Sequence, residues 1–299
     1  MNVAIVGAGY TGTRLARVCL REGADVIAMT RAPQRQAELT TLGARCVSLD
    51  LDRDGAAAES AATGIEGRNV FYMVPPADAG SRDPRIGRFL AALSNLSSSP
   101  ACLVYLSTTA VYGDYSGERV DETSPARPAS DRGRRRLDAE RQALDWSAAQ
   151  GVAVRVLRVP GIYGPGRLPL ARLAAGASVA RDEPTPRPGN RIHVDDLVGA
   201  CLAASAYQGP HRVFNVGDGN HASMGEYFRR VAAIAGLPAP EELDMETLLD
   251  RSSPMMRSFL QESRRLDTGL MLSELGYRPR YEDLDRGIEA SLREDADSG

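Results

Sequence analysis

The chain has 299 residues, is 43% hydrophobic and carries 36 basic against 39 acidic side chains, for a formal net charge of −3. That length and apolar share support a substantial core, built as one α/β unit or two lobes. The slightly acidic balance, with a sequence pI near 5.8, argues against a dedicated nucleic-acid binder, which is ordinarily basic. No apolar run reaches the roughly 18 residues that cross a bilayer, and the opening MNVAIVGAGY has no basic flank leading a signal sequence. Cys19, Cys46, Cys102 and Cys201 lie far apart without metal or redox spacing. The expectation is a cytoplasmic, reducing home, buried thiols, no metal, no membrane and no nucleic-acid partner.

Along the chain, Asn2–Val6 is a short apolar, β-branched run that meets Gly7-Ala8-Gly9-Tyr10-Thr11-Gly12. An amphipathic stretch, residues 13–20, follows, Gly23 closes it, and Asp25–Met29 supplies a second strand. A lone GxGxxG is a weak signal, but here it sits inside a roughly 30-residue βαβ unit, the context the motif requires. Gly7 permits the tight turn, Gly9 lets the backbone approach a pyrophosphate, and Gly12 allows helix and strand to pack closely. The phosphates then rest, with Tyr10 and Thr11, on the helix N-terminus, where unpaired N–H groups favour an anion. NAD binders place a carboxylate at the end of the second strand to hold the ribose 2′-OH. This chain has Met29-Thr30-Arg31, with Arg35 four residues later. A hydroxyl donor and guanidinium groups suit the 2′-phosphate of NADP rather than NAD.

A third strand, 44–49, runs into Asp50-Leu51-Asp52, where a carboxylate can reach the adenine amino group. A fourth, 70–74, ends at Val74-Pro75-Pro76 beside the expected crevice, and a fifth, 103–106, leads into Ser107-Thr108-Thr109. A buried sixth strand covers 152–159. Strands separated by helical stretches predict a doubly wound parallel sheet of the α/β class, with ligands at the strand carboxyl ends. Beyond it, helices are expected at 168–179, 226–235, 245–249 and 266–275, with a lid or interface at 252–260 and a disordered acidic tail over 293–299.

Ser107-Thr108-Thr109-Ala110-Val111-Tyr112-Gly113 resembles the extended short-chain dehydrogenase/reductases, the NAD(P)-dependent epimerase/dehydratase family. Leu157 to Arg167, with its YGPG, Asn190 to Leu197, with HVDD, and Phe214-Asn215-Val216-Gly217 resemble later family segments in the same order. The resemblance implies a Rossmann core over 1–165, with Pro160 near the cofactor. It also implies a small carboxyl-terminal α/β substrate lobe over 166–299, from which 190–217 return to the core. Family precedent further implies a homodimer. The GxGxxG spacing, in place of the GxxGxxG of typical extended members, points to an atypical branch.

The departure lies in the catalytic helix. Family members carry YxxxK shortly before a Leu-x-x-Glu, which here is Leu137-Asp138-Ala139-Glu140. Counting back, Arg132 stands at the Tyr position and Arg136 at the Lys position, and the chain contains no lysine at all. In the family the Tyr exchanges the substrate proton, while the Lys lowers its pKa and holds the nicotinamide ribose. Arg136 can keep the ribose contact. Arg132, with a pKa above about 12, is a poor general acid but can bind an anion or steady an oxyanion.

Thr108 takes the place of the hydroxyl that orients the substrate oxygen, with Thr109 beside it. Tyr112, Tyr163 and Tyr115 are the candidate proton donors. Arg167, Arg187 and Arg191 are candidate contacts to a small anionic substrate, and His193 is expected to be structural. The acidic pair of sugar-nucleotide dehydratases is absent, which counts against 4,6-dehydration. The expectation is an NADP-dependent oxidoreductase or epimerase acting on a small hydroxyl or carbonyl metabolite. The alternatives are a redox-neutral isomerase, lyase or cyclase on the same scaffold and a non-catalytic dinucleotide sensor.

Overall fold

The computed structural model describes every residue except 54, 182–186 and 299. Seven strands form the central sheet: β1 (Asn2–Val6), β2 (Asp25–Met29), β3 (Arg45–Val47), β4 (Asn69–Tyr72), β5 (Cys102–Thr108), β7 (Ala153–Val159) and β11 (Val213–Asn215). Their order is β11-β7-β5-β4-β1-β2-β3, and every neighbouring pair is parallel. Strand order therefore reverses between β1 and β4, the switch point at which doubly wound sheets open a crevice at their carboxyl ends. Three two-stranded parallel pairs lie outside it: β6 (Arg119–Val120) with β13 (Arg265–Leu266), β8 (Gly161–Tyr163) with β10 (Arg191–His193), and β9 (Ser178–Ala180) with β12 (Glu241–Leu243).

Both faces of the sheet are covered, which is why its strands read as continuous apolar runs. Helices α1 (Tyr10–Arg21), α2 (Pro33–Thr41) and α7 (Val194–Ala206) contribute Leu15, Cys19, Leu39, Leu197 and Cys201 to one apolar layer. Helices α3 (Gly55–Ala62), α4 (Pro84–Ser94) and α5 (Asp131–Gln150) contribute Ala61, Ile86, Phe89, Ala139 and Ala143 to the other. A separate cluster joins α6 (Leu170–Ala174), α8 (Met224–Ala235) and β9 through Leu173, Val179, Phe228 and Val231. No helix among the described residues is long and apolar enough to cross a membrane.

Several expectations are corrected here. The helix expected over 168–179 stops after α6, because Gly176 takes a φ of +79°, and the chain then enters β9. The stretch 266–275 divides between β13 and a short helix α11 (Gly269–Ser273). Segment 252–260, expected as a lid or interface, follows α9 (Met245–Arg251) and falls mostly in α10 (Pro254–Gln261), which starts where the Ser253 hydroxyl accepts from the Met256 N–H at 3.3 Å; its role as lid or interface is not contradicted. The tail expected to be disordered belongs to α12 (Leu284–Ser298), whose Leu284 and Ile288 are buried one turn apart against Tyr163 and the α8 cluster. Arg14 of α1 pairs with Glu294 and, at 2.6 Å, with Asp195, tying that last helix to the core.

Candidate active site

The site begins with the turn between β1 and α1. Gly7 has φ +90°, and a Cβ there would stand 2.8 Å from the Val74 backbone nitrogen. The N–H groups of Gly7 and Ala8 donate to the Met29 carbonyl at 3.0 and 2.9 Å, which ties the turn to the end of β2. At Gly12 a Cβ would meet the Gly7 carbonyl oxygen at 2.9 Å, so the helix can approach the strand only without a side chain there. Gly9 differs: a Cβ would have only the Gly7 oxygen near it, at 4.0 Å. Gly9 caps α1 without a side-chain hydrogen bond, and the first turn carries no acid. The first N–H groups of α1 are thus left for an anion, and the residues present fit a dinucleotide pyrophosphate.

A cleft of about 390 Å³ extends from this turn. Gly7, Gly9, Tyr10, Thr11, Gly12, Thr30, Arg31, Asp50, Val74, Pro75 and Arg136 all line it. Beyond β3, Asp52 is gripped by Arg85 through two hydrogen bonds, of 2.7 and 2.6 Å, and these hold its carboxyl below the usual range. Arg31 reaches the same carboxylate only at 3.3 Å with its side chain 67% exposed. Arg35 lies outside the cleft, paired with Glu38 at 2.6 Å on the surface of α2, so the structure does not bring it to the site. Pro160 lines the neighbouring cleft instead.

At the opposite end of the narrow cleft, the Arg136 Nη1 donates to the Leu106 carbonyl at 2.8 Å and to the Tyr105 hydroxyl at 3.2 Å. Beneath it lies a buried polar network missed in the sequence reading. The Ser107 hydroxyl donates to Glu140, and Glu140 pairs with Arg158 at 2.8 Å, the two side chains being 2% and 8% exposed. Arg158 in turn lies 4.7 Å from the Tyr112 ring centre. The family-like Leu-x-x-Glu and the Arg of Leu157-Arg158 were both visible, but their pairing across 18 residues was not.

The second cleft, about 720 Å³, lies between the sheet and the α6–α8–β9 cluster. Thr108, Thr109 and Arg132 stand at its sheet end, and Met256 and Leu260 of α10 form part of its wall. Its described lining includes seven arginines (132, 167, 172, 181, 187, 191 and 264) and a single acid, Glu262. At least three of these guanidinium groups donate to the fold, Arg187 through the Leu260 carbonyl at 2.9 Å. Arg191 is 7% exposed and donates to the carbonyls of Ala222, at 2.6 Å, and Ser223, at 3.0 Å. Arg264 donates to the Gly113 carbonyl and to Glu262. Burial, against the pull of Glu262, and the neighbouring charges of Arg136, Arg135 and Arg264 hold the Arg132 pKa below its ordinary value.

The candidate proton donors are placed less favourably. The Thr108 hydroxyl accepts from the Ala110 N–H at 3.3 Å and so caps its own turn, although the residue faces the wide cleft. Tyr112 is fully buried, donates to Asn215 Oδ1 at 2.7 Å, and lines neither cleft. Its ring packs against the Arg158 guanidinium. Tyr163 lines the wide cleft, but its hydroxyl is buried against Gly287, where a Cβ would lie 2.1 Å away. Burial pushes the Tyr112 phenol up to about 12 and Tyr163 higher still. Tyr115 donates to the Pro125 carbonyl at 2.6 Å, outside both clefts. His193 caps α7 by accepting from the Asp195 N–H at 3.2 Å, a structural part.

Residues 3–217 match the sequence profile described as the NAD dependent epimerase/dehydratase family. The chain belongs to that family. Membership makes it an enzyme of the oxidoreductase or epimerase type, with an NAD(P) dinucleotide as the cofactor of its class. Among similar curated proteins, "Protein YeeZ" of Escherichia coli (strain K12) is 26% identical over 289 residues, covering 94% of this chain and 97% of its own. The UDP-glucose 4-epimerase of Corynebacterium glutamicum is 26% identical over 315 residues, covering 95% and 92%. Among solved structures, a functionally unknown conserved protein from Silicibacter pomeroyi DSS superposes with a TM-score of 0.79 at 30% identity, covering 99% of each chain. The chain therefore carries the fold of the epimerase/dehydratase family.

Proposed function

We propose that this protein is an NADP-dependent oxidoreductase or epimerase whose substrate is an anionic hydroxyl or carbonyl metabolite of the sugar-nucleotide kind, turned over without a Tyr–Lys pair. The observation that carries this reading is the wide cleft of seven arginines to one described acid, adjoining the Gly7–Gly12 turn. On this reading residues 1–165 hold the dinucleotide and 166–299 mainly the substrate, with 190–217 returning to the core. NADP is favoured because Arg31 is exposed and only loosely paired, while Asp52 is already committed to Arg85. A guanidinium so placed suits a 2′-phosphate, and no carboxylate follows β2 directly to claim a free 2′-hydroxyl.

When bound, the dinucleotide supplies hydride chemistry at its nicotinamide; the chain supplies position and charge. Arg136, braced by Leu106 and Tyr105, presents its remaining donors to the ribose end of the narrow cleft. Thr109 and Thr108 flank the substrate oxygen. Arg132 puts a fixed positive charge where the family places a phenol, so it lowers the energy of a developing oxyanion without yielding its own proton. The proton then exchanges with water in the open cleft.

The test is turnover with a panel of nucleoside-diphosphate sugars and small carbonyl acids, followed at the nicotinamide absorbance band and by product chromatography. Net NADPH consumption or formation assigns an oxidoreductase, and conversion without net absorbance change assigns an epimerase. Dinucleotide binding with no conversion of any panel member would overturn the reading.

A further inference from the structure

Residue Arg167 faces both clefts at once. It follows the Tyr163-Gly164-Pro165-Gly166 turn, which packs on the dinucleotide turn itself. The Tyr10 hydroxyl donates to the Pro165 carbonyl at 2.8 Å. A Cβ on Gly164 would lie 2.8 Å from that hydroxyl, so the two turns touch because glycine stands there. The Arg167 N–H donates to the Gly164 carbonyl at 3.0 Å, closing the turn. Its guanidinium carbon then sits 4.0 Å from the centre of the Tyr10 ring, the first residue of α1.

Two arginine charges therefore reach Tyr10, Arg14 and Arg167. Arg14 is neutralised by Asp195 and Glu294. Arg167 has no carboxylate partner among the described residues, and α1 has no acid in its first turn. A stacked, uncompensated guanidinium beside open helix N–H groups is the arrangement that binds a phosphate.

We infer that Arg167, expected from the sequence to touch substrate, is a pyrophosphate-positioning residue. Through Tyr10 it joins the dinucleotide turn to the wall of the substrate cleft. The inference rests on the dinucleotide reading above. It adds that a residue beyond the Rossmann half contributes to dinucleotide affinity, and that it acts on the part common to NADPH and NADH.

The experiment is calorimetric titration of wild-type protein and Arg167→Met, Arg167→Lys and Arg31→Ala variants with NADPH and with NADH, without substrate. Circular dichroism confirms that each variant is folded. Loss of a charge-assisted contact predicts Kd raised about 10- to 100-fold by Arg167→Met for both dinucleotides alike, with partial recovery in Arg167→Lys. Arg31→Ala should weaken NADPH alone. Unchanged affinity in folded Arg167→Met, or a loss confined to NADPH, overturns the inference. Wild-type protein that binds neither dinucleotide would instead overturn the reading on which it rests.

Discussion

Replacing Glu140 by Ala should be among the most destabilising single changes in this chain. Glu140 is 2% exposed, pairs with Arg158 at 2.8 Å and accepts from Ser107. Truncation leaves a guanidinium that is 8% exposed with no counter-charge of its own. Breaking one side of such a buried pair costs about 3–5 kcal/mol, and the lost Ser107 bond adds about 1 kcal/mol. Against a total stability of about 5–15 kcal/mol, that is a large fraction. Urea denaturation followed by circular dichroism gives the test. With m near 3 kcal/mol per M, the midpoint should fall by about 1 M or more at unchanged m. The double change Glu140→Leu with Arg158→Met removes both charges and should cost less than Glu140→Ala alone. A loss below about 1 kcal/mol in Glu140→Ala, or a double variant worse than the single, would refute the reasoning.

The first two glycines of the turn, Gly7 and Gly9, separate stability from binding. Gly7→Ala must place a Cβ 2.8 Å from the Val74 nitrogen at φ +90°, and should lower the melting temperature by several degrees. Gly9→Ala meets nothing nearer than the Gly7 oxygen at 4.0 Å, and should keep the melting temperature while weakening dinucleotide binding about tenfold or more, as read by calorimetry. Burial pushes the Asp218 carboxyl up to about 7, so the fold favours its protonated form. Its contribution is whole below about pH 4, where the unfolded chain is also protonated, and is lost as the pH rises towards 7. Asp218→Asn should therefore gain on wild type in denaturation midpoint across that window; a pH-independent difference would contradict this. Arg132→Ala should lower kcat on an anionic substrate at least tenfold while leaving the Kd for NADPH within about twofold, measured by steady-state kinetics and titration.

Much of the dinucleotide half was legible because its signals are local. A β-branched run, three glycines at fixed offsets and an amphipathic helix need no long-range information, and each lies where those signals put it. The substrate side was less legible because its parts are brought together by packing. Arg167 and Tyr10 are 157 residues apart, and nothing local announces that one stacks on the other. Tyr112 and Tyr163 looked like proton donors because the sequence shows a phenol but not its burial. The acidic tail read as disorder because its charges outnumber its apolar residues, yet Leu284 and Ile288, four apart, suffice to seat α12. Arg35 looked like a second phosphate contact by proximity in sequence, and a single helical turn carried it to Glu38 instead.

The central claim is an NADP-dependent site built on the Gly7–Gly12 turn. Titration of the purified wild-type protein with NADPH and with NADH tests it most directly. Saturable binding of both is expected, with NADPH at least tenfold tighter, a difference of about 1.4 kcal/mol. Tighter NADH binding would contradict the role given to Arg31, and binding of neither would contradict the account at its base.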